Sequence, residues 1–104
     1  MIYGLKGQVV SQSATTLILN VNNVYYELKV PSLSEQVIGD EIFIYTYQVI
    51  REDDEYLIGF SSLEEKALFL KLINVSGIGP KTALGILTAT NPERFSEAVM
   101  AEEL

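Results

Sequence analysis

The chain has 104 residues, 48% of them hydrophobic and 20% charged, and this composition predicts a globular fold with one ordinary core or two very small ones. It contains no Cys and no His, which excludes disulfides and thiol chemistry and argues against a zinc site, so we expect neither a metal nor a cofactor. No apolar run reaches the roughly 18 residues of a membrane span and the N-terminus lacks a secretory signal, which predicts a cytoplasmic protein without membrane association.

The formal net charge of −7 argues against DNA binding when it is taken alone, because most non-specific affinity for DNA comes from basic side chains. The acidic residues are unevenly placed. Residues 1–63 contain three basic and eight acidic side chains, whereas residues 64–104 contain four and six. Any phosphate contact is therefore expected from the second part of the chain, and from backbone groups more than from side-chain charge.

The first sixty residues predict five short β-strands, since apolar and polar residues alternate and turn residues separate the runs. The strands are expected at residues 2–11, 15–21, 24–30, 42–50 and 56–60. Asn22 and Asn23 tolerate positive φ, which predicts a two-residue hairpin between the second and third strands. A short helix is expected within residues 31–37.

Five strands in this length predict a small closed barrel of the OB type over residues 1–62. Gly4 and Gly7 in the first strand suit the bulge or sharp bend that a small barrel needs. All six Tyr lie in this part of the chain. A row of exposed aromatic residues could stack single-stranded bases, but packing into a small core is the favoured interpretation.

From residue 62 onward the apolar residues recur at helical spacing, which predicts a small helical domain over residues 63–104. Ser62, followed three residues later by Glu65, predicts a capping box at the start of the first helix. The residues expected to face inward are Leu63, Ala67, Leu70 and Ile73. The residues expected to face water are Glu64, Glu65, Lys66 and Lys71.

A Gly-rich turn and two further helices are predicted after this first helix. Pro80 opens the second helix, because proline is well placed at a first helical position. The apolar residues expected on this helix are Ala83, Leu84, Ile86 and Leu87. Asn91 and Pro92 repeat the same start for a third helix. Its inward residues are expected to be Phe95, Ala98 and Val99.

The Gly-rich turn is the strongest candidate for a binding site. Gly77 and Gly79 can take positive φ and allow a bulky anion to approach the backbone. The first turn of the following helix offers unpaired N–H groups and a partial positive charge, which together bind phosphate, and Lys81 adds a charge contact. Such a site does not distinguish between bases. The predicted phosphate-binding residues are Ser76, Gly77, Ile78, Gly79, Pro80, Lys81 and Thr82.

The alternative interpretation of this turn is a plain corner between two helices, since glycines commonly end helices for steric reasons. The combination of apolar Val75, two glycines and a following lysine favours phosphate binding over the plain corner. The residue spacing of a P-loop is absent. The dinucleotide-binding motif is also excluded, because that motif follows a strand, whereas this turn follows a predicted helix.

A run of four acidic residues, 52–55, lies at the predicted tip between the fourth and fifth strands. One interpretation is a solvated hairpin turn, in which Asp is common. Another is an acidic projection that repels the DNA backbone and steers strands apart beside a phosphate-binding surface. A metal site is a third, but adjacent carboxylates on a tight turn rarely converge on one ion. The residues alone leave the first two interpretations open.

Taken together, these segments resemble the RuvA family. The motifs that carry the resemblance are LKG at 5–7, VIRED at 49–53, LIGF at 57–60 and VSGIGPKTAL at 75–84. The last motif is similar to the family's first helix-hairpin-helix. That hairpin alone occurs in many DNA-repair proteins, whereas its combination with an OB-like barrel and an acidic hairpin is far more specific. The resemblance implies an α+β fold, with a five-stranded OB barrel before a helix-hairpin-helix domain.

The resemblance also implies a function. It implies a non-catalytic subunit that binds four-way (Holliday) junction DNA during recombination, repair and the SOS response, and that assembles as a homotetramer. Residues 77–81 would grip minor-groove phosphates, and Glu52 and Asp53 would form an acidic pin that separates strands. The implied partners are the RuvB ATPase, which supplies the work of branch migration, and the RuvC resolvase.

The chain departs from the family pattern at its end, because it stops at Leu104, before the second helix-hairpin-helix and before the domain that contacts RuvB. We therefore interpret it as an N-terminal fragment, with weakened junction affinity and no recruitment of RuvB.

Three other function classes remain to be distinguished. Helix-hairpin-helix glycosylases need a catalytic Asp beside a base-flipping pocket, and no candidate Asp follows this hairpin. A protein-interaction module would not bind DNA at all, and a single-strand binder would prefer unpaired DNA over junctions.

Overall fold

The computed structural model describes residues 1–31 and 33–90, in which five strands precede two helices. The strands are β1 (Gly4–Gln12), β2 (Thr16–Val21), β3 (Val24–Lys29), β4 (Glu41–Arg51) and β5 (Asp54–Phe60). The helices are α1 (Leu63–Ile73) and α2 (Pro80–Thr90). All five predicted strands are confirmed, although β5 begins two residues earlier than expected. The predicted third helix, from Asn91 onward, lies outside the described residues.

The five strands close into a barrel in the order β1-β2-β3-β5-β4. The β3 and β5 strands pair in parallel and the other neighbours are antiparallel, which is the arrangement of an OB barrel. The predicted bulge in β1 falls between Val9 and Ser11 rather than at a glycine. Gly7 has a different role, because an added Cβ there would lie 2.5 Å from the Asn20 carbonyl oxygen. The expected α+β fold with an OB barrel is confirmed.

The two loops around β3 show one correct and one wrong prediction. Asn22 and Asn23 have φ of 52° and 70°, and Asn20 Oδ1 accepts a hydrogen bond from the Asn23 N–H at 2.8 Å, which confirms the predicted hairpin. The short helix expected within residues 31–37 is wrong, because the described residues of that segment contain no helix. The segment is an irregular loop that bonds to the end of β1, where Gln12 Oε1 accepts a hydrogen bond from the Gln36 N–H at 2.9 Å.

Two clusters of buried side chains form the core. The first core lies within the barrel and consists of Leu5, Val9, Leu17, Leu19, Leu28, Val30 and Ile44. The second core combines side chains of β4 and β5 with side chains of both helices, and consists of Val49, Ile58, Phe60, Phe69, Ala83 and Leu87. The barrel and the helices therefore pack together, as expected from their short connection. A division into two domains at residue 62 stays a prediction.

The start of α1 follows the prediction, but its buried face does not. Ser62 Oγ accepts a hydrogen bond from the Glu65 N–H at 3.1 Å, as in the predicted capping box, but the Glu65 carboxylate accepts from the Ser61 N–H at 3.1 Å, one residue before the N-cap. This bond turns Glu65 inward. Lys66 is also buried, with Nζ 4.3 Å from the centre of the Tyr3 ring, and burial lowers its pKa.

The predicted faces of α1 are therefore wrong in part. Glu65 and Lys66 were expected in water and are buried, whereas Leu63 and Ala67 were expected inside and are exposed. Phe69 is the fully buried residue of this helix. The prediction for α2 is confirmed, since Ala83 and Leu87 are buried and Leu84 and Ile86 are half-buried. Neither helix in the described part of the chain has the length and apolar character to cross a membrane.

Candidate nucleic-acid interface

The turn between α1 and α2 contains the predicted binding segment. The Ile78 N–H donates to the Val75 carbonyl oxygen at 3.1 Å and closes a tight turn. Gly77 is the third residue of that turn and has a φ of 88°, as a type II turn requires at this position. An L side chain would be strained there, so the backbone geometry explains Gly77 without any ligand.

Gly79 has a different role from Gly77. The Ala83 N–H donates to the Gly79 carbonyl oxygen at 2.9 Å, which makes Gly79 the residue immediately before α2. Both glycines were expected to be able to take positive φ, but Gly79 does not have it. An added Cβ on Gly79 would only meet Arg51 Nη2, at an ordinary contact distance of 3.9 Å. Neither backbone strain nor close packing therefore requires glycine at this position.

The start of α2 offers backbone donors to solvent. Pro80 has no N–H, and the amides of Lys81 and Thr82 have no acceptor within the helix because they precede its first hydrogen bond. The side chains of both residues are exposed. Two free amides at the positive end of an 11-residue helix form a site that favours an anion.

The predicted binding residues differ in how far they are buried. Ile78 is half-buried and packs against the second core, which fixes the turn to the body of the protein. Gly79 and Pro80 are also half-buried, whereas Ser76, Gly77, Lys81 and Thr82 are exposed. The exposed residues of the segment therefore lie on both sides of three half-buried residues, of which Ile78 packs against the second core.

The predicted acidic pin lies at the tip of the hairpin that joins β4 to β5. Arg51 of β4 and Asp54 of β5 are opposite each other in the strand register. Glu52 and Asp53 therefore form the two-residue tip, and both are exposed. Among residues 1–31 and 33–90, no group of three acidic side chains could hold a metal ion. Consecutive residues of a strand point to opposite faces, which separates the carboxylates that follow the tip.

The next two acidic residues contact different neighbours. The Asp54 carboxylate lies 3.9 Å from Lys81 Nζ, between β5 and α2. Glu55 Oε2 accepts a hydrogen bond from Gln48 Nε2 at 3.2 Å, within the hairpin itself. The four acidic residues therefore do not act as one cluster.

A cleft of about 270 Å³ lies between the tip end of this hairpin and the start of α2. The residues that line it are Arg51, Asp53, Asp54, Tyr56, Gly79, Pro80, Lys81 and Thr82. The fold thus brings the second pin residue next to four of the seven predicted phosphate-binding residues. Glu52 and residues 76–78 do not line the cleft.

Two basic side chains of the barrel also lie at or beside this cleft. Arg51 lines it, and Lys29 Nζ lies 5.3 Å from the centre of the Tyr56 ring. Burial, followed by the Asp54 charge, raises the pKa of Tyr56, and the Arg51 charge opposes that rise. The sequence had indicated basic contacts from the second part of the chain alone. Arg51 is the neighbour of Asp54 across the two-residue turn in the strand register, and this position could have predicted that Arg51 lies at the cleft.

The barrel carries a family signature. The model of the RuvA N-terminal domain matches residues 1–59, which include every strand except the last residue of β5. The chain belongs to the RuvA family. This family model ends before α1, so the similarity of the helical part rests on individual relatives.

Curated RuvA relatives match along nearly the whole chain. Each is named as the Holliday junction branch migration complex subunit RuvA. The protein from Dichelobacter nodosus is 42% identical over 105 residues, which cover 99% of this chain and 52% of that protein. Its counterpart from Acinetobacter baumannii is 43% identical over 106 residues, with 100% and 53% covered. For Alkaliphilus oremlandii the identity is 41% over 102 residues, with 96% and 53% covered. The chain therefore spans about half the length of these RuvA relatives.

Proposed function

We propose that this chain binds four-way DNA junctions through their phosphates, without reading sequence, as part of the DNA-binding subunit of a branch-migration complex. Its membership of the RuvA family, whose relatives are named as Holliday junction branch migration complex subunits, supports this proposal. The observation that carries it is Gly79, where neither backbone strain nor packing requires a glycine, directly beside free amides at the start of α2.

The phosphate contact depends on how closely a DNA strand can approach the backbone. With no side chain on Gly79, a phosphate oxygen can reach the amides of Lys81 and Thr82, and the helix N-terminus favours its charge. Lys81 is exposed beside these amides and adds a side-chain contact. Because none of these groups contacts a base edge, binding is independent of sequence.

The acidic pin acts by repulsion in this proposal. Glu52 and Asp53 are exposed at the end of the β4–β5 hairpin, and Asp53 lines the same cleft as Lys81. A phosphate held at the start of α2 would therefore lie beside fixed negative charge. Such charge repels a second strand and keeps the arms of a junction apart.

The remaining assignments come from the family. The subunit itself is non-catalytic, and the RuvB ATPase supplies the work of branch migration. The working assembly is a cytoplasmic homotetramer on the junction, and the RuvC resolvase acts on the same DNA. We propose that this chain supplies the barrel, the acidic pin and the first helix-hairpin-helix of that assembly, over residues 1–62 and 63–104.

Gly79→Ala tests the phosphate site, with Gly85→Ala as its matched control. Both glycines accept a Cβ without a close contact, and Gly85 is exposed in the middle of α2. We expect Gly79→Ala to weaken binding of the full-length gene product to a labelled four-way junction about tenfold or more, the value of a charge-assisted backbone contact. Gly85→Ala should leave the dissociation constant unchanged.

The competing classes give different results in the same titration. Unchanged junction binding by Gly79→Ala, with the protein still folded, would contradict the phosphate site. Preference for single-stranded DNA over the junction would instead favour the barrel aromatics as the binding surface. No DNA binding at low salt, where phosphate contacts are strongest, would support a protein-interaction module.

A further inference from the structure

The basic side chains of Arg51 and Lys81 lie beside the exposed backbone at the start of α2. Among the described residues, Lys81 forms an ion pair with a carboxylate, and Arg51 does not. Resting on the function proposed above, we propose that Arg51, contributed by the barrel, is a phosphate-binding residue of this site. We also propose that Lys81 forms an ion pair with Asp54 in the free protein. In this arrangement Arg51 contributes more to the affinity for DNA than Lys81 does.

The position of Arg51 supports a direct contact with phosphate. Its Nη2 lies 3.9 Å from the point where a Cβ of Gly79 would stand, so the guanidinium adjoins the space that the glycine leaves open. Within the described part of the chain, Arg51 has no carboxylate within 4.0 Å, and its charge is therefore not neutralised by an ion pair. Arg51 is exposed and lines the cleft.

Lys81 is in a different state. Its Nζ lies 3.9 Å from Asp54 Oδ2, and a phosphate at this position must displace the Asp54 carboxylate or approach a pair that is already neutral. The two side chains are 77% and 47% exposed, so the pair is solvated and loose. It therefore reduces the contribution of Lys81 without abolishing it.

The chemistry of the two cations points in the same direction. The planar guanidinium of Arg51 can donate two parallel hydrogen bonds to a phosphate, whereas the ammonium of Lys81 acts as a point charge. An unpaired guanidinium next to two free amides gives more donors to one phosphate than the paired lysine does. Arg51 also connects the barrel hairpin to the helical site, so both parts of the chain hold the same DNA strand.

The test compares single substitutions in the full-length gene product, with a labelled four-way junction as the probe. We expect Arg51→Gln to weaken binding about tenfold and Lys81→Gln to weaken it about two- to threefold. Arg51→Lys retains the charge but not the two-pronged geometry, and should fall between wild type and Arg51→Gln. The slope of log K against log salt should fall by about one for Arg51→Gln.

Asp54→Asn tests the second half of the proposal, with Glu55→Gln as its matched control. Each removes one negative charge from adjacent positions, but Glu55 contacts Gln48 and not Lys81. We expect Asp54→Asn to tighten junction binding about two- to fivefold, and more than Glu55→Gln does. In a Lys81→Gln background, Asp54→Asn should tighten binding no more than Glu55→Gln does.

The outcomes separate this inference from the function on which it rests. If Gly79→Ala and Lys81→Gln weaken binding while Arg51→Gln does not, the inference is wrong and the phosphate site stands. Equal effects of Asp54→Asn and Glu55→Gln would overturn the role of Asp54. If all four substitutions at residues 51, 54, 79 and 81 leave junction affinity unchanged, the proposed function and the inference both fail.

Discussion

The β2–β3 and β4–β5 hairpins belong to one barrel and each turns through two residues, but they differ in chemistry and in packing. Asn22 and Asn23 turn the first with positive φ, and its strands contribute Leu17, Leu19 and Leu28 to the core inside the barrel. Glu52 and Asp53 turn the second without positive φ. Its strands contribute Ile44 to that same core, and Val49, Ile58 and Phe60 to the core shared with α1 and α2. Backbone geometry thus explains the first tip, whereas the second presents charge beside the helices.

This difference shows how a small barrel can carry a binding site without losing its own core. The first hairpin packs into the core inside the barrel, and none of its side chains lines the cleft at the start of α2. The second hairpin reaches that cleft through Arg51, Asp53, Asp54 and Tyr56. The position of the proposed site therefore depends on the second core, whereas the first core fills the interior of the barrel.

The largest expected effect is that of Phe69→Ala in the second core. Phe69 is fully buried, with its ring 5.2 Å from that of Phe60 and 5.4 Å from that of Tyr47. We expect the free energy of unfolding, measured by urea denaturation, to fall by about 3–5 kcal/mol. Junction affinity should also fall under conditions where the protein stays folded, because α2 loses its support on the hairpin.

Leu17→Ala in the first core is the control for this prediction. It should lower the free energy of unfolding by about 2–5 kcal/mol, yet leave the affinity of the folded protein for the junction unchanged. If both variants weakened binding equally while folded, the distinction between the two cores would be wrong. Phe69→Leu provides a milder variant for the comparison if Phe69→Ala does not fold.

A smaller effect distinguishes the two tips. Asn23→Ala places an alanine at a φ of 70° and should lower the free energy of unfolding by about 1–2 kcal/mol. Asp53→Ala occupies the matching position of the other hairpin without positive φ, and should change stability by less than about 0.5 kcal/mol. We expect the reverse for DNA, with tighter junction binding by Asp53→Ala alone. Equal stability losses in urea titrations would contradict the contrast.

The smallest expected effect is a change in the titration of Tyr56, measured by NMR of its labelled ring carbon. Burial and Asp54 hold the pKa of this phenol above its ordinary value, and Arg51 opposes them. Asp54→Asn should therefore lower this pKa, and Arg51→Gln should raise it. Shifts of the opposite sign, or none, would show that these charges do not lie beside Tyr56 in solution.

The same phenol gives a pH dependence of stability with a defined sign. The pKa of Tyr56 is higher in the folded protein than in the unfolded chain, so its contribution to stability is present below about pH 10 and is lost as the pH rises further. Asp54→Asn should reduce this loss, and Glu55→Gln serves as the control.

Local rules were sufficient for much of this fold. Strand alternation, the Asn22-Asn23 turn and the proline at the start of α2 were all predictable from neighbouring residues. The buried face of α1 was not, because Glu65 bonds to the preceding loop and Lys66 lies over a ring that is distant in sequence. Periodicity assigns such charged residues to water, and only the tertiary contacts turn them inward.

The candidate site shows the same limit. The sequence indicated the Gly-rich turn and the acidic tip as separate segments, and a family resemblance joined them in function. It did not indicate that Asp54 pairs with Lys81 or that Arg51 adjoins Gly79, since both contacts cross from the barrel to the helices. The different requirements at Gly77 and Gly79 also became visible only from backbone angles and open space.

The most direct test of the central claim is a titration of a labelled four-way junction and a linear duplex of equal total length at low salt. If this claim holds, the full-length gene product binds the junction more tightly than the duplex, and Gly79→Ala, but not Gly85→Ala, weakens junction binding about tenfold or more. Failure to bind either DNA, or equal binding by wild type and Gly79→Ala, would contradict it.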